Sequence, residues 1–209
     1  PVPISACVRK ILPEYINLDN CKDVFLVTNL ELFLYITNCI DCTIPVIPTF
    51  KTTLLPVANR PQGTINDVIV ADFENVPGAL PTKEIVVAAD DVTVYDFVPG
   101  PNVLVQRWKY NLIPGEPARA IYAFDLDSDT ATNVIDRDPD LEPELIVGES
   151  WYLYILDDLL TAPPSADLKW EYSTSPYNVG TVGAGRFVGP RNVMGGAASL
   201  VYILDYNGS

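Results

Sequence analysis

The chain has 209 residues, enough for one large core or two small ones, and its 48% hydrophobic against 19% charged content excludes a disordered polymer. Nineteen Pro and twelve Gly leave few windows for long helices, and the absence of His removes Ser-His-Asp and Cys-His nucleophilic sites and the common His-containing metal sites. With 13 Lys and Arg against 27 Asp and Glu, the net charge of -14 repels phosphate backbones and anionic lipid, which argues against nucleic acid and membrane surfaces as partners.

Residues 1–20 carry Pro1, Pro3 and Pro13 without a sustained period and read as an extended N-terminal arm or edge segment. Phe25–Asn29 and Leu34–Asn38, rich in β-branched and aromatic residues, read as a hairpin. A turn centred near Leu30 pairs Val27 with Phe33 and Phe25 with Tyr35, and places Cys21 opposite Cys39. Thr43–Gly63, with four prolines, reads as an edge strand or connection; one domain is the default, in which 1–62 is an arm and hairpin and 63–209 the main sandwich, and 62/63 is the boundary if two units exist.

Short strands follow at Val68–Phe73, Glu84–Ala89 and Val92–Val98, each bounded by turn residues. Val103–Tyr110 alternates, with Leu104, Trp108 and Tyr110 on one face and Val105, Arg107 and Lys109 on the other. Leu145–Asp158 reads as one central strand, apolar on both faces from Trp151 onward: Trp151, Leu153 and Ile155 one way, Tyr152, Tyr154 and Leu156 the other. Ile121–Asp125, Leu153–Asp157 and Val201–Asp205 echo one another, each with an Asp three residues after a Tyr. Their spacing is unequal, so they are taken as strands of one sandwich ending in Asp-initiated turns, not as a repeat. The fold expected is an all-β antiparallel sandwich of jelly-roll type with a Gly-rich C-terminal loop.

Four groups of residues have chemistry worth weighing. Asp125–Asp136 places Asp125, Asp127, Asp129, Asn133 and Asp136 at positions 1, 3, 5, 9 and 12 of a loop, oxygen ligands at the spacing that wraps Ca²⁺. These twelve residues resemble an EF-hand-type calcium loop, with Thr130 in place of the turn glycine and Asp136 in place of the final Glu. The resemblance implies a calcium cofactor; the alternative is a solvated acidic loop.

Cys7, Cys21, Cys39 and Cys42 cluster in the first fifth of the chain, and three states stay open for them: a zinc site, a Cys21–Cys39 disulfide, or free thiols. Glu149, Asp157, Asp158 and Glu171 lie near aromatic residues and are weighed as a glycosidase-type acid pair against ordinary solvated acids. Trp108, Trp151 and Trp170 are weighed as a sugar platform against core packing. The stretch 180–196 holds a concentration of glycines and no acid, and reads as a flexible loop or as an arm whose Arg186 and Arg191 dock on the acidic stretch 125–144 of another subunit.

The function expected is a non-enzymatic structural or assembly subunit, in its specific form a phage or virus particle component such as a capsid-decorating protein. Its partners are then copies of itself or other structural subunits. No run of 18 apolar residues is present and Pro1–Ile4 shows no export signal, which fits a virion protein made in a host cytoplasm. A secreted, extracellular carbohydrate-binding module is the alternative.

Overall fold

A computed structural model describes residues 8–15, 22–29, 31–35, 52–54, 61–73, 83–98, 103–124, 126, 143–157, 167–185, 192–197 and 200–205. Among them are fifteen strands and no helix, so the chain is all-β. The strands form four antiparallel sheets, each a run of neighbours in sequence. The first sheet holds β1 (Val8–Glu14), β2 (Asp23–Thr28), β3 (Leu32–Tyr35) and β4 (Thr52–Leu54). The second holds β5 (Asp67–Ala71), β6 (Glu84–Ala88), β7 (Val92–Val98) and β8 (Val103–Tyr110). The third holds β9 (Ala120–Phe124), β10 (Glu144–Gly148), β11 (Tyr152–Asp157) and β12 (Asp167–Ser173). The fourth holds β13 (Thr181–Gly185), β14 (Asn192–Ala197) and β15 (Leu200–Asp205).

Side chains alternate across a strand, so a strand that is apolar throughout feeds two cores. Phe25, Val27 and Leu32 of the first sheet pack on Val68, Ile85, Val87, Tyr95 and Leu104 of the second. The opposite face of the second sheet, with Val86, Val92, Val94 and Trp108, packs on Ile121, Leu145, Val147, Tyr154 and Leu156 of the third. The other face of the third, Ile146, Leu153 and Ile155, meets Val193, with Val182 and Leu204 at the margin, on the fourth. Three cores thus separate four stacked sheets. The sequential meanders exclude, among the described residues, the Greek-key crossings that define a jelly roll.

The first strands of successive sheets lie side by side: β1 by β5, β5 by β9, and β9 by β13. Asp67 ties three of them. Its carboxylate accepts from Lys10 Nζ of β1 (2.7 Å) and from the Ile121 N–H of β9 (3.2 Å). Beside it the Asn66 side-chain amide donates to the Ala118 carbonyl (2.7 Å). Four-stranded meanders packed face to face, with first strands adjacent and the chain passing from the last strand of one sheet to the first of the next, share the connectivity of consecutive β-propeller blades.

One construction recurs from sheet to sheet. The residue before the first strand donates its N–H to a carbonyl on the second strand in three sheets: Asn66 to Ala88, Arg119 to Gly148, and Gly180 to Gly196, each at 2.8 Å. The second strand opens on a buried polar residue in all four sheets, Asp23, Glu84, Glu144 and Asn192. Glu84 accepts the N–H of Phe73 (2.9 Å) and Glu144 that of Leu126 (2.6 Å), each two residues past its first strand. A carboxylate at this point satisfies a backbone donor that the end of the ladder leaves without a strand partner.

Several expectations need correcting. Leu145–Asp158 is not one strand but the β10–β11 hairpin, Leu145 pairing with Leu156 and Gly148 with Leu153. The two-faced apolar pattern is real, but the chain reverses at Ser150–Trp151, where the Glu149 N–H donates to the Tyr152 carbonyl (2.8 Å). The β2–β3 hairpin pairs Phe25 with Leu34 and Val27 with Leu32, one residue away from the register that set Cys21 opposite Cys39. On β8, Trp108 faces the third sheet while Leu104 faces the first, because the β7–β8 register shifts between Val94 and Tyr95 and turns the strand by one side chain.

The expected Gly-rich loop is largely strand, β13 paired with β14 from Thr181 opposite Gly196 to Gly185 opposite Asn192. The third sheet approaches the start of this stretch closely, at Gly148. A Cβ on Gly148 of the facing sheet would stand 2.7 Å from Val179 and 2.8 Å from Val182. Position 62/63 falls in the β4–β5 connection, and the sheets on either side of it share a core.

Candidate functional site at the turn of the third sheet

Most of the residues singled out from sequence lie outside the described residues: Asp125, Asp127, Asp129, Asn133 and Asp136 of the acidic stretch, Cys7, Cys21, Cys39 and Cys42, Asp158, and Arg186 and Arg191. The acidic stretch occupies the connection from β9 to β10, whose two ends the Glu144 bond to Leu126 draws together. Among the described residues no three Cys, Asp or Glu side chains group to hold a metal ion.

The three tryptophans form no common platform. Trp108 is buried between the second and third sheets, and Trp151 is exposed on the β10–β11 turn. Trp170 stacks on Tyr172 (5.9 Å between ring centroids, 12° between planes), and Tyr172 leans on Tyr202 of the fourth sheet at 6.0 Å. This aromatic row marks the seam between the third and fourth sheets.

Of the four acids weighed as a catalytic pair, the structure brings Glu149 and Glu171 to the same neighbourhood; Asp157 ends β11, on the far side of the hairpin from its turn. Glu149 follows β10 directly and is fully buried. The hydroxyl of Tyr154 donates to its Oε2 at 2.7 Å. Tyr154 is paired across the ladder with Glu171 of β12, so an exposed acid flanks the buried one.

Burial is the main cause that pushes the Glu149 carboxyl above its ordinary range; the Tyr154 hydroxyl and the Ile113 N–H oppose it, and the negative charges of Glu116 and Glu171 add to it. Burial also raises the phenols of Tyr154 and, with Glu171 and Glu149 contributing, of Tyr110 on the facing sheet. A carboxyl held toward its neutral form can act as a general acid, but only if a substrate can touch it. Glu149 has no exposed surface, so this arrangement joins two sheets instead of meeting solvent.

The surroundings bear this out. The Val179 N–H, two residues before β13, donates to the Glu149 carbonyl (3.1 Å), and the Thr174 N–H donates to the Trp151 carbonyl (2.7 Å). The Ile65 N–H, two residues before β5, makes the matching bond to Asn29 at the β2–β3 turn (2.9 Å). The turn between second and third strands is therefore where one sheet takes hold of the segment leading into the next. The sequence pattern does not reveal this role, because Glu149 and Ser150 sit inside a run that reads as one continuous strand. No protein-family model matches the chain, and no curated protein matches it.

Proposed function

We propose that this chain is a non-enzymatic structural subunit, a stack of propeller-type sheets incorporated into a larger assembly. The observation that carries the proposal is the apolar surface left at both ends of the stack. Ile11 of the first sheet is 61% exposed, and Val201 of the last is 65% exposed. At the matching ladder positions the internal sheets bury their residues, Val68 and Ile121 on first strands and Val92 and Leu153 on third strands, so apolar side chains exposed on a sheet face support an interaction there. The finer form of the reading, a phage or virus particle component, rests on the sequence: an acidic, His-free, β-rich chain. A carbohydrate-binding module is the alternative, and the Trp170–Tyr172–Tyr202 row is the place at which it would act.

Light scattering and negative-stain microscopy of the purified chain test the proposal. Multimers or particles that grow with protein concentration are expected. A monodisperse monomer that binds glycans would replace the assembly reading with the alternative.

A further inference from the structure

The four sheets can be compared position by position, because each second strand opens on its buried polar residue and each ladder to the third strand is known. The face that a sheet turns toward the next one is supplied on the third strand by Leu32 in the first sheet, by Val92 and Val94 in the second, and by Leu153 and Ile155 in the third. All five are 0% exposed. In the fourth sheet the corresponding ladder positions, opposite Gly196 and Met194, are Val201 and Ile203, which are 65% and 48% exposed. The sequence keeps the apolar residues that a following sheet would cover.

The opposite end shows the matching half. One and three residues after the polar opener, each later sheet turns residues toward the sheet before it: Ile85 and Val87, Leu145 and Val147, Val193 and Gly195. The first sheet has Val24 and Leu26 there, half-buried, with the exposed Ile11 paired to Leu26. One end thus presents the face that follows a sheet and the other the face that precedes one.

We infer that the outer face of the fourth sheet, Met194, Val201 and Ile203, docks on the outer face of the first sheet of a second copy, Ile11, Val24 and Leu26, continuing the packing that already joins the four sheets within one chain. This rests on the assembly reading above and names its contact. The contact is heterologous, head to tail, so it closes into a ring or extends as an open array. Because each copy carries a net charge of -14, repulsion opposes it, and added salt strengthens it by screening.

The test uses the full chain and two variants at exposed positions, Val201→Asp with Ile203→Asp, and Ile11→Asp, with circular dichroism and melting temperature confirming that each still folds. Light scattering should give multimers for the unaltered chain and the mass of one copy for each variant alone. An equimolar mixture should give two copies and nothing larger, since one intact face survives on each partner. If the unaltered chain is a monomer at every concentration and salt, this inference and the assembly reading both fail. If both variants assemble as the unaltered chain does, the contact is wrong while the assembly reading stands. If Ile11→Asp alone still forms dimers, the contact is between two like faces and the head-to-tail inference is overturned.

Discussion

At the scale of single residues, the informative positions are buried carboxylates with different tasks. Glu144 spends its charge on a backbone donor, the Leu126 N–H at 2.6 Å, within a buried setting. Replacing it with Ala leaves that donor unsatisfied, at about 1–3 kcal/mol in urea denaturation, whereas Gln retains an acceptor and should cost less. Equal losses for the two substitutions would show that the bond is not what the side chain contributes.

Glu149 behaves in the opposite sense, since its carboxyl is raised chiefly by burial. A carboxyl raised in the folded state stabilises that state fully only below its unfolded pKa, and the contribution is lost as pH rises through the folded value. As pH rises past the ordinary carboxyl range the group therefore becomes a burden, which Glu149→Gln removes. The variant should melt roughly 2–4 °C above the unaltered chain at about pH 7, with the gap closing near pH 4. A gap independent of pH would contradict this account.

At the scale of elements, glycine placement decides how closely sheets approach. Gly148 faces Val179 and Val182 so tightly that an added Cβ would overlap both, whereas the nearest neighbours of a Cβ on Gly195 would be 3.6–3.7 Å away, at ordinary contact distance. Gly148→Ala should destabilise by about 1–3 kcal/mol by overpacking, and Gly195→Ala should be close to neutral; thermal melts of the pair check the contrast. The sequence made most strands legible because apolar runs bounded by Pro, Gly and Asp are a short-range signal. What it concealed was parity and reversal. A two-residue turn at Ser150–Trp151 carries none of the usual Gly or Asn, and the register shift opposite Val94 leaves no compositional trace.

At the scale of the whole molecule, the all-β class was readable from composition, but the number of sheets was not. The Tyr-x-x-Asp echo mixed unlike positions: Leu153–Asp157 and Val201–Asp205 lie in the third strands of their sheets, whereas Ile121–Asp125 begins in a first strand. The stronger signature was a polar residue opening an apolar run, at Asp23, Glu84, Glu144 and Asn192, and connections of unequal length hid it. The metal and thiol candidates gained nothing, because they fall outside the described residues.

Every described ladder joins strands that are neighbours in sequence. A jelly roll must close long loops before its distant strands can pair, and that entropic delay is what makes such topologies slow to fold. Here each sheet can zip up from its own stretch of chain and then serve as the template on which the next one condenses. Synthesis from the N-terminus would therefore deliver the sheets in the order in which they pack, with the second and third gaining their full protection only after the sheet behind them has emerged.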